Sequence, residues 1–183
     1  VDEKELEAFA KFELNNEKDL YNGVKQLKIE DTVRERFQLP TVASIAESLI
    51  YLRNKVKSFL QESTFDAQSK KPFLRSLDKA NELIYTCLFF IHIELRCRGY
   101  AEIVQSLNGV SYKLQTVPST PDNYATIITQ TYSQTYDQLE TCLVPSRHLF
   151  SFIGIPTLIY TLHIKYLPLV KEINDKGTQA ILQ

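Results

Sequence analysis

Apolar residues recur at the spacing of an α-helix from Pro40 onward. Between Val42 and Phe59 they are separated alternately by three and four positions, which places them on one face of a helix. Because Pro40 marks the boundary before this pattern, we predict a helix over residues 41–62. The predicted core residues of that helix are Val42, Ile45, Leu49, Leu52 and Val56, with Ala46 and Leu60 widening the face.

A second and longer apolar pattern follows a polar linker. Ser69 is its predicted N-cap, and Pro72 lies in the first turn. Between Leu83 and Leu95 apolar residues occupy every side of the helix, which predicts burial by neighbours all round. The pattern runs on to a stop at Asn108–Gly109. Its predicted core residues are Leu77, Ile84, Leu88, Ile91 and Leu95.

Prolines and glycines divide the remaining chain. Thr120 is the predicted N-cap of a third helix with a tyrosine-rich face, and Pro145 begins the next segment. Gly154-Ile155-Pro156 interrupts the apolar pattern, and Pro168 is predicted to kink a last helical stretch that includes residues 169–183. The sequence shows no alternation of the length that predicts β-strands.

These patterns together predict an all-α fold, an antiparallel bundle of five to six helices. We interpret residues 1–183 as one helical-bundle fragment of a larger protein, in which residues 41–183 form the core bundle. Residues 1–38 differ because they carry ten acidic and seven basic side chains, which predicts one or two charged amphipathic helices.

Charge and cysteine content exclude several classes of protein. Lys and Arg (21) nearly balance Asp and Glu (22), so the net charge of −1 provides no long-range attraction to nucleic acid. An odd number of cysteines, three, predicts free thiols in the cytosol. The most apolar window, residues 152–170, contains two prolines, a histidine and a lysine, which favours a buried helix over a transmembrane segment.

The sequence lacks the motifs that carry catalysis or cofactor binding. Its three histidines, His92, His148 and His163, are not at metal-ligand spacings. A nucleophile elbow and a glycine-rich phosphate loop are both missing. We therefore predict a protein without enzymatic activity, metal or cofactor.

Charged side chains nevertheless interrupt the apolar second helix. Glu94 precedes Arg98 by four residues, the favourable order for a helical ion pair. We predict that His92, Glu94 and Arg98 are buried polar anchors that fix the register of the helix. The alternative is a helical enzyme or ligand-binding bundle with its site among His92, Glu94, Arg96 and Arg98.

Two surfaces are candidates for contact with partners. Arg53, Lys55 and Lys57 form a basic group on the first predicted helix, and Lys70 and Lys71 follow in the linker. We interpret this modest basic patch as a solvated face or, alternatively, as a docking or anionic-lipid surface. Residues 109–163 contain only five charged side chains, so we expect this stretch to be buried against neighbouring bundles.

Three segments resemble the exocyst complex component 4 family. Cys87 to Arg98 with Tyr100 is similar to the family's leucine-rich His-x-Glu-x-Arg stretch. Phe152 to Leu162 resembles its Phe-x-Gly-Leu/Ile segment, and Ile173 to Gly177 resembles the continuation. The resemblance covers roughly residues 42–183, in the same order and at similar spacing.

The resemblance implies a C-terminal segment of an elongated helical-rod subunit that has no enzymatic activity. The exocyst tethers secretory vesicles to the plasma membrane before SNARE-mediated fusion, so the implied partners are other exocyst subunits, with SNARE or small-GTPase regulators reached through the complex. The implied location is cytoplasmic, with recruitment to secretory vesicles and the plasma membrane. Another helical-bundle adaptor or tethering subunit is the alternative.

Overall fold

Helices joined mostly by short turns make up the described chain. The computed structural model describes residues 38–181, so the amphipathic helices predicted for residues 1–38 lie outside the described residues, except for Gln38 itself. The described helices are α1 (Gln38–Glu62), α2 (Ala67–Leu107), α3 (Asn123–Glu140), α4 (Pro145–Phe152), α5 (Ile155–Tyr166) and α6 (Asp175–Ile181). A 3-10 turn at Leu167–Leu169 and two paired two-residue strands complete the fold, which confirms the all-α prediction.

α1 and α2 form a hairpin around a four-residue turn. Asp66, not Ser69, is the N-cap of α2, because its carboxylate accepts a hydrogen bond from the backbone N–H of Ser69 at 2.7 Å. That bond lowers the pKa of Asp66. An aspartate at this position satisfies one of the free N–H groups at the helix start.

The buried face of α1 differs from the predicted one. Ile45 is 48% exposed and Leu52 is 58% exposed, so the prediction that they lie in the core is wrong. Val42, Leu49 and Val56 are only partly buried. The buried face lies one position away along the chain, because small alanines let α2 approach closely. It comprises Leu39, Ala43, Ala46, Ile50 and Leu60.

α2 is the central helix of the molecule. Its five predicted core residues, Leu77 to Leu95, are all buried. Leu83 and Phe90 are exposed, so burial on every side does not begin where the sequence predicted. From Ile91 to Ala101 every residue except the partly buried Ile93 is buried. Here α2 borders two clusters of buried side chains, of which only the first includes residues of α1 and α4.

Gly154 and Pro156 form the connection between α4 and α5. Gly154 adopts a left-handed conformation with φ of 74°, which reverses the chain between α4 and α5. Pro156 then lies in the first turn of α5, where its missing N–H costs nothing. α3 begins after Asp122, two residues beyond the predicted N-cap Thr120.

The last stretch is not the continuous helix predicted for residues 169–183. Pro168 lies in a 3-10 turn that ends α5, and the chain then returns in an extended conformation. β1 (Ser111–Tyr112) pairs in parallel with β2 (Glu172–Ile173), and α6 follows. Strands of two residues are too short to leave an alternating pattern in the sequence, which is why sequence analysis missed them.

Candidate functional site

His92 joins α2 to the end of α4. Its Nδ1 lies 3.2 Å from the carbonyl oxygen of Phe150 and 3.3 Å from that of Ser151. Because a carbonyl oxygen only accepts, Nδ1 donates its N–H here. Nε2 accepts a hydrogen bond from Arg96 Nε at 2.9 Å, so both ring nitrogens form hydrogen bonds.

Two further contacts involve the buried polar side chains of α2, which we call the buried polar network. Arg98 Nε donates to Glu94 Oε1 at 2.8 Å, and both side chains are buried. Arg96 Nη2 donates to the carbonyl oxygen of Ile153 at 3.4 Å, beside the turn at Gly154. His92 and Arg96 therefore tie α2 to α4 and to the α4–α5 turn, as expected of polar anchors, whereas the contact between Arg98 and Glu94 lies within α2.

An ion pair that sequence analysis did not foresee connects α1 with α4. Arg147 donates to both carboxylate oxygens of Glu47 at 2.6 Å, and the backbone N–H of Val144 donates to the same carboxylate at 3.2 Å. Bidentate geometry gives this pair a defined orientation. Its partners are 100 residues apart, and only the tertiary structure brings them together.

The predicted basic docking face is only partly present. Arg53 is buried and donates to Asn81 Oδ1 at 3.0 Å, so the prediction that it is an exposed docking residue is wrong. Lys55 and Lys57 are exposed, and Lys55 lies over the ring of Tyr51. Arg53 therefore joins α1 to α2, while the lysines face solvent.

A cavity of about 900 Å³ opens between α3 and α5. α3 contributes Ile128, Tyr132 and Tyr136, and α5 contributes Ile159 and Ile164 among other apolar side chains. We call it the α3–α5 groove. Its volume is within the range of ligand and peptide sites, and its lining contains no Asp, Glu, Lys or Arg.

Two polar side chains at the groove donate hydrogen bonds to backbone carbonyl oxygens. Tyr132 donates its hydroxyl to the carbonyl oxygen of Leu95 at 2.7 Å, and burial raises the pKa of that hydroxyl. His163 Nδ1 donates to the carbonyl oxygen of Ile159 at 2.8 Å. The groove consequently offers apolar surface, as expected of a site that receives an apolar partner.

The four charged or titratable residues of the alternative enzymatic interpretation do not line this groove. His92, Glu94, Arg96 and Arg98 are all buried in the polar network described above. The groove instead lies within the charge-poor part of the sequence between residues 109 and 163 and continues to Ile164, Leu167 and Ile181. Low charge density was the one sequence signal that pointed to it.

All three cysteines are free thiols. Burial raises the pKa of Cys97 to about 11, with a further contribution from the Glu94 carboxylate, and burial also raises that of Cys87. Because of this raised pKa, the thiolate form of Cys97 is scarce at neutral pH.

In residues 38–181, no three His, Cys, Asp or Glu side chains converge as a metal site would require.

Comparison with known proteins leaves the chain without an assigned family. No protein-family model matches the sequence, and a search of curated proteins finds no significant match. Across the described part of the chain, each helix is either too short or too polar to cross a membrane.

Proposed function

We propose that this chain is a non-enzymatic structural segment of the exocyst, in which it helps to tether secretory vesicles to the plasma membrane before SNARE-mediated fusion. The observation that carries the proposal is the α3–α5 groove, an open and charge-free surface between two helices of an all-α bundle. A tethering subunit needs stiff helices and surfaces for partner subunits, and this arrangement supplies both.

The residues of the family resemblance support the proposal through their contacts. Cys87 to Arg98 lies in α2, and Phe152 to Leu162 contains the α4–α5 turn and most of α5. The two segments meet where Arg96 donates to the carbonyl oxygen of Ile153. Segments that pack on each other constrain the size and polarity of each other's side chains. A packing motif can therefore characterise a family whose members have no catalytic residues.

In this proposal the groove receives an apolar helix from another exocyst subunit. A groove lined by apolar side chains of two helices is the geometry of helix-in-groove recognition. The chain then acts in the cytoplasm, is recruited to secretory vesicles and the plasma membrane, and meets SNARE or small-GTPase regulators through the complex. It needs no cofactor for this role.

Affinity purification of the full-length parent protein tests the proposal. We expect a stable set of exocyst subunits to co-purify with the unaltered protein. Ile164→Glu places a charge on the groove, where Ile164 is 60% exposed, and should weaken recovery of at least one subunit roughly tenfold. Leu149→Glu is the matched control, because Leu149 is 68% exposed and lies outside the groove.

The outcomes separate two parts of the proposal. Recovery of a different set of proteins would show that the chain belongs to another adaptor or tethering complex. Equal recovery of exocyst subunits with Ile164→Glu and with Leu149→Glu would keep the membership and remove the groove as the contact. Circular dichroism of both variants verifies that each retains its helices.

A further inference from the structure

Three phenylalanines cluster at the closed end of the α1–α2 hairpin. Phe59, Phe65 and Phe73 lie with ring centroids 5.8 to 6.4 Å apart. Their exposed fractions are 51%, 43% and 39%, and the neighbouring Leu74 is also exposed. Exposed aromatic rings that already contact each other form a contiguous apolar patch, which differs from scattered exposed apolar residues.

Basic residues lie close to this patch along the chain. Residues 55–75, which we call the hairpin tip, contain five basic and two acidic side chains, a local excess of three positive charges in a chain whose net charge is −1. Lys55 precedes Phe59 by one turn, and Lys70 precedes Phe73 by one turn. The basic residues of the tip are Lys55, Lys57, Lys70, Lys71 and Arg75.

The hairpin tip also projects from the bundle. The hydrogen bond from Arg53 to Asn81 lies about 14 Å from the end of α1, at 1.5 Å per helical residue. Between residues 54 and 80, only Leu60 and Leu77 are buried. A flat surface can therefore approach the tip without meeting the rest of the described bundle.

We propose that the hairpin tip binds the surface of an anionic lipid bilayer. Aromatic rings favour the boundary between headgroups and acyl chains, and Lys and Arg are attracted to acidic headgroups. The tip combines both types of side chain on a projecting end. The sequence pattern places Lys55, Lys57, Lys70 and Lys71 in one weak basic patch, but the phenylalanine cluster beside it exists only through the tertiary contacts of the three rings.

The positive charge of the hairpin tip complements an anionic membrane and favours it as the binding partner of the tip. A partner helix would need a groove to receive its apolar face, whereas the three rings pack against one another in a single exposed cluster. Each phenylalanine can enter a lipid surface without any such groove. This proposal does not rest on membership in the exocyst, because vesicle binding is measured with this chain and without any other exocyst subunit.

Co-sedimentation of the 183-residue chain with vesicles tests the proposal. We expect binding to phosphatidylcholine vesicles that contain phosphatidylserine and much weaker binding to phosphatidylcholine alone. Lys57→Glu with Lys71→Glu should reduce binding roughly tenfold or more. Lys113→Glu with Lys171→Glu is the matched control, because it changes the net charge equally at exposed lysines far along the chain from the tip.

A second pair of variants tests the aromatic contribution at constant charge. Phe65→Ser with Phe73→Ser should weaken binding roughly tenfold, whereas Leu149→Ser, which also removes an exposed apolar side chain, should not. Because the sequence contains no tryptophan, Phe65→Trp adds a single tryptophan whose fluorescence reports on its surroundings. Its emission should shift to shorter wavelength on anionic vesicles, and the emission of Leu149→Trp should stay unchanged.

Four results would overturn the proposal. They are no binding of the unaltered chain, equal loss in both charge-reversal pairs, full binding after removal of the two phenylalanines, and an unshifted Phe65→Trp emission. Loss of a co-purifying protein in the tip variants, without vesicle binding by the unaltered chain, would assign the tip to a protein partner instead. Circular dichroism must show unchanged helicity in every variant.

Discussion

Two ion pairs on α2 show how position along one helix decides the energetic role of a charge. Lys79 and Glu82 are 2.6 Å apart with 78% and 65% of their side chains exposed. Arg98 and Glu94 are 2.8 Å apart with only 8% and 7% exposed. Water screens the first pair and is excluded from the second, so only the second is strongly coupled to folding.

Replacing the buried carboxylate tests this difference. Glu94→Gln should lower the free energy of unfolding by about 3 kcal/mol, because it removes the charge that faces the buried guanidinium of Arg98. Urea denaturation at neutral pH measures the loss. Glu82→Gln is the control and should leave the unfolding midpoint unchanged. Unchanged stability in Glu94→Gln would show that Glu94 is not an anchor.

At the scale of the element, α1 shows that apolar spacing alone does not identify the buried face. Ile45 and Leu52 have the expected three- and four-residue spacing and yet are about half exposed. Ala43 and Ala46 are fully buried one position away. Small side chains at the contact shorten the distance between helix axes, so the close approach of α2 determined which face was buried.

Paired truncations on α1 and α2 test this assignment. Leu88→Ala should lower the free energy of unfolding by about 2–5 kcal/mol, since Leu88 is 2% exposed and its removal leaves a cavity. Leu52→Ala should change it by less than about 0.5 kcal/mol, because the side chain is mostly in water. Thermal and urea unfolding of both variants measure the two effects. A large loss in Leu52→Ala would mean that the face of α1 is assigned wrongly.

At the scale of the whole molecule, the return of the last stretch to β1 connects distant parts of the chain. Asn174 Nδ2 donates to the carbonyl oxygen of Leu114 at 2.8 Å, and the N–H of Gly177 donates to Asn174 Oδ1 at 2.9 Å. Gly177 is buried against the backbone of Tyr112, where a Cβ would overlap the carbonyl oxygen. α6 can dock here only with glycine at this position.

Gly177→Ala should therefore loosen the docking of α6. We expect amide hydrogen exchange in residues 170–181 to accelerate roughly tenfold, while α1 and α2 keep their protection. Gln179→Ala, at an exposed neighbouring position, should leave exchange unchanged. Faster exchange throughout the chain would instead indicate that the last stretch stabilises the whole bundle.

The sequence by itself determined the all-α class, the positions of α1 and α2, and the core residues of α2. These features follow from local spacing, from proline at helix boundaries and from side chains that are apolar over many turns. It also predicted His92, Glu94 and Arg98 as buried anchors, because charges within so apolar a helix must be paired if they are buried.

The tertiary structure alone decided which face of α1 is buried, where Arg53 points and how Glu47 meets Arg147. It also created the α3–α5 groove and gathered the phenylalanines of the hairpin tip. Each of these features depends on the distance and angle between elements that are far apart in the chain. Helical periodicity describes one element at a time, so it contains no information about that distance or angle.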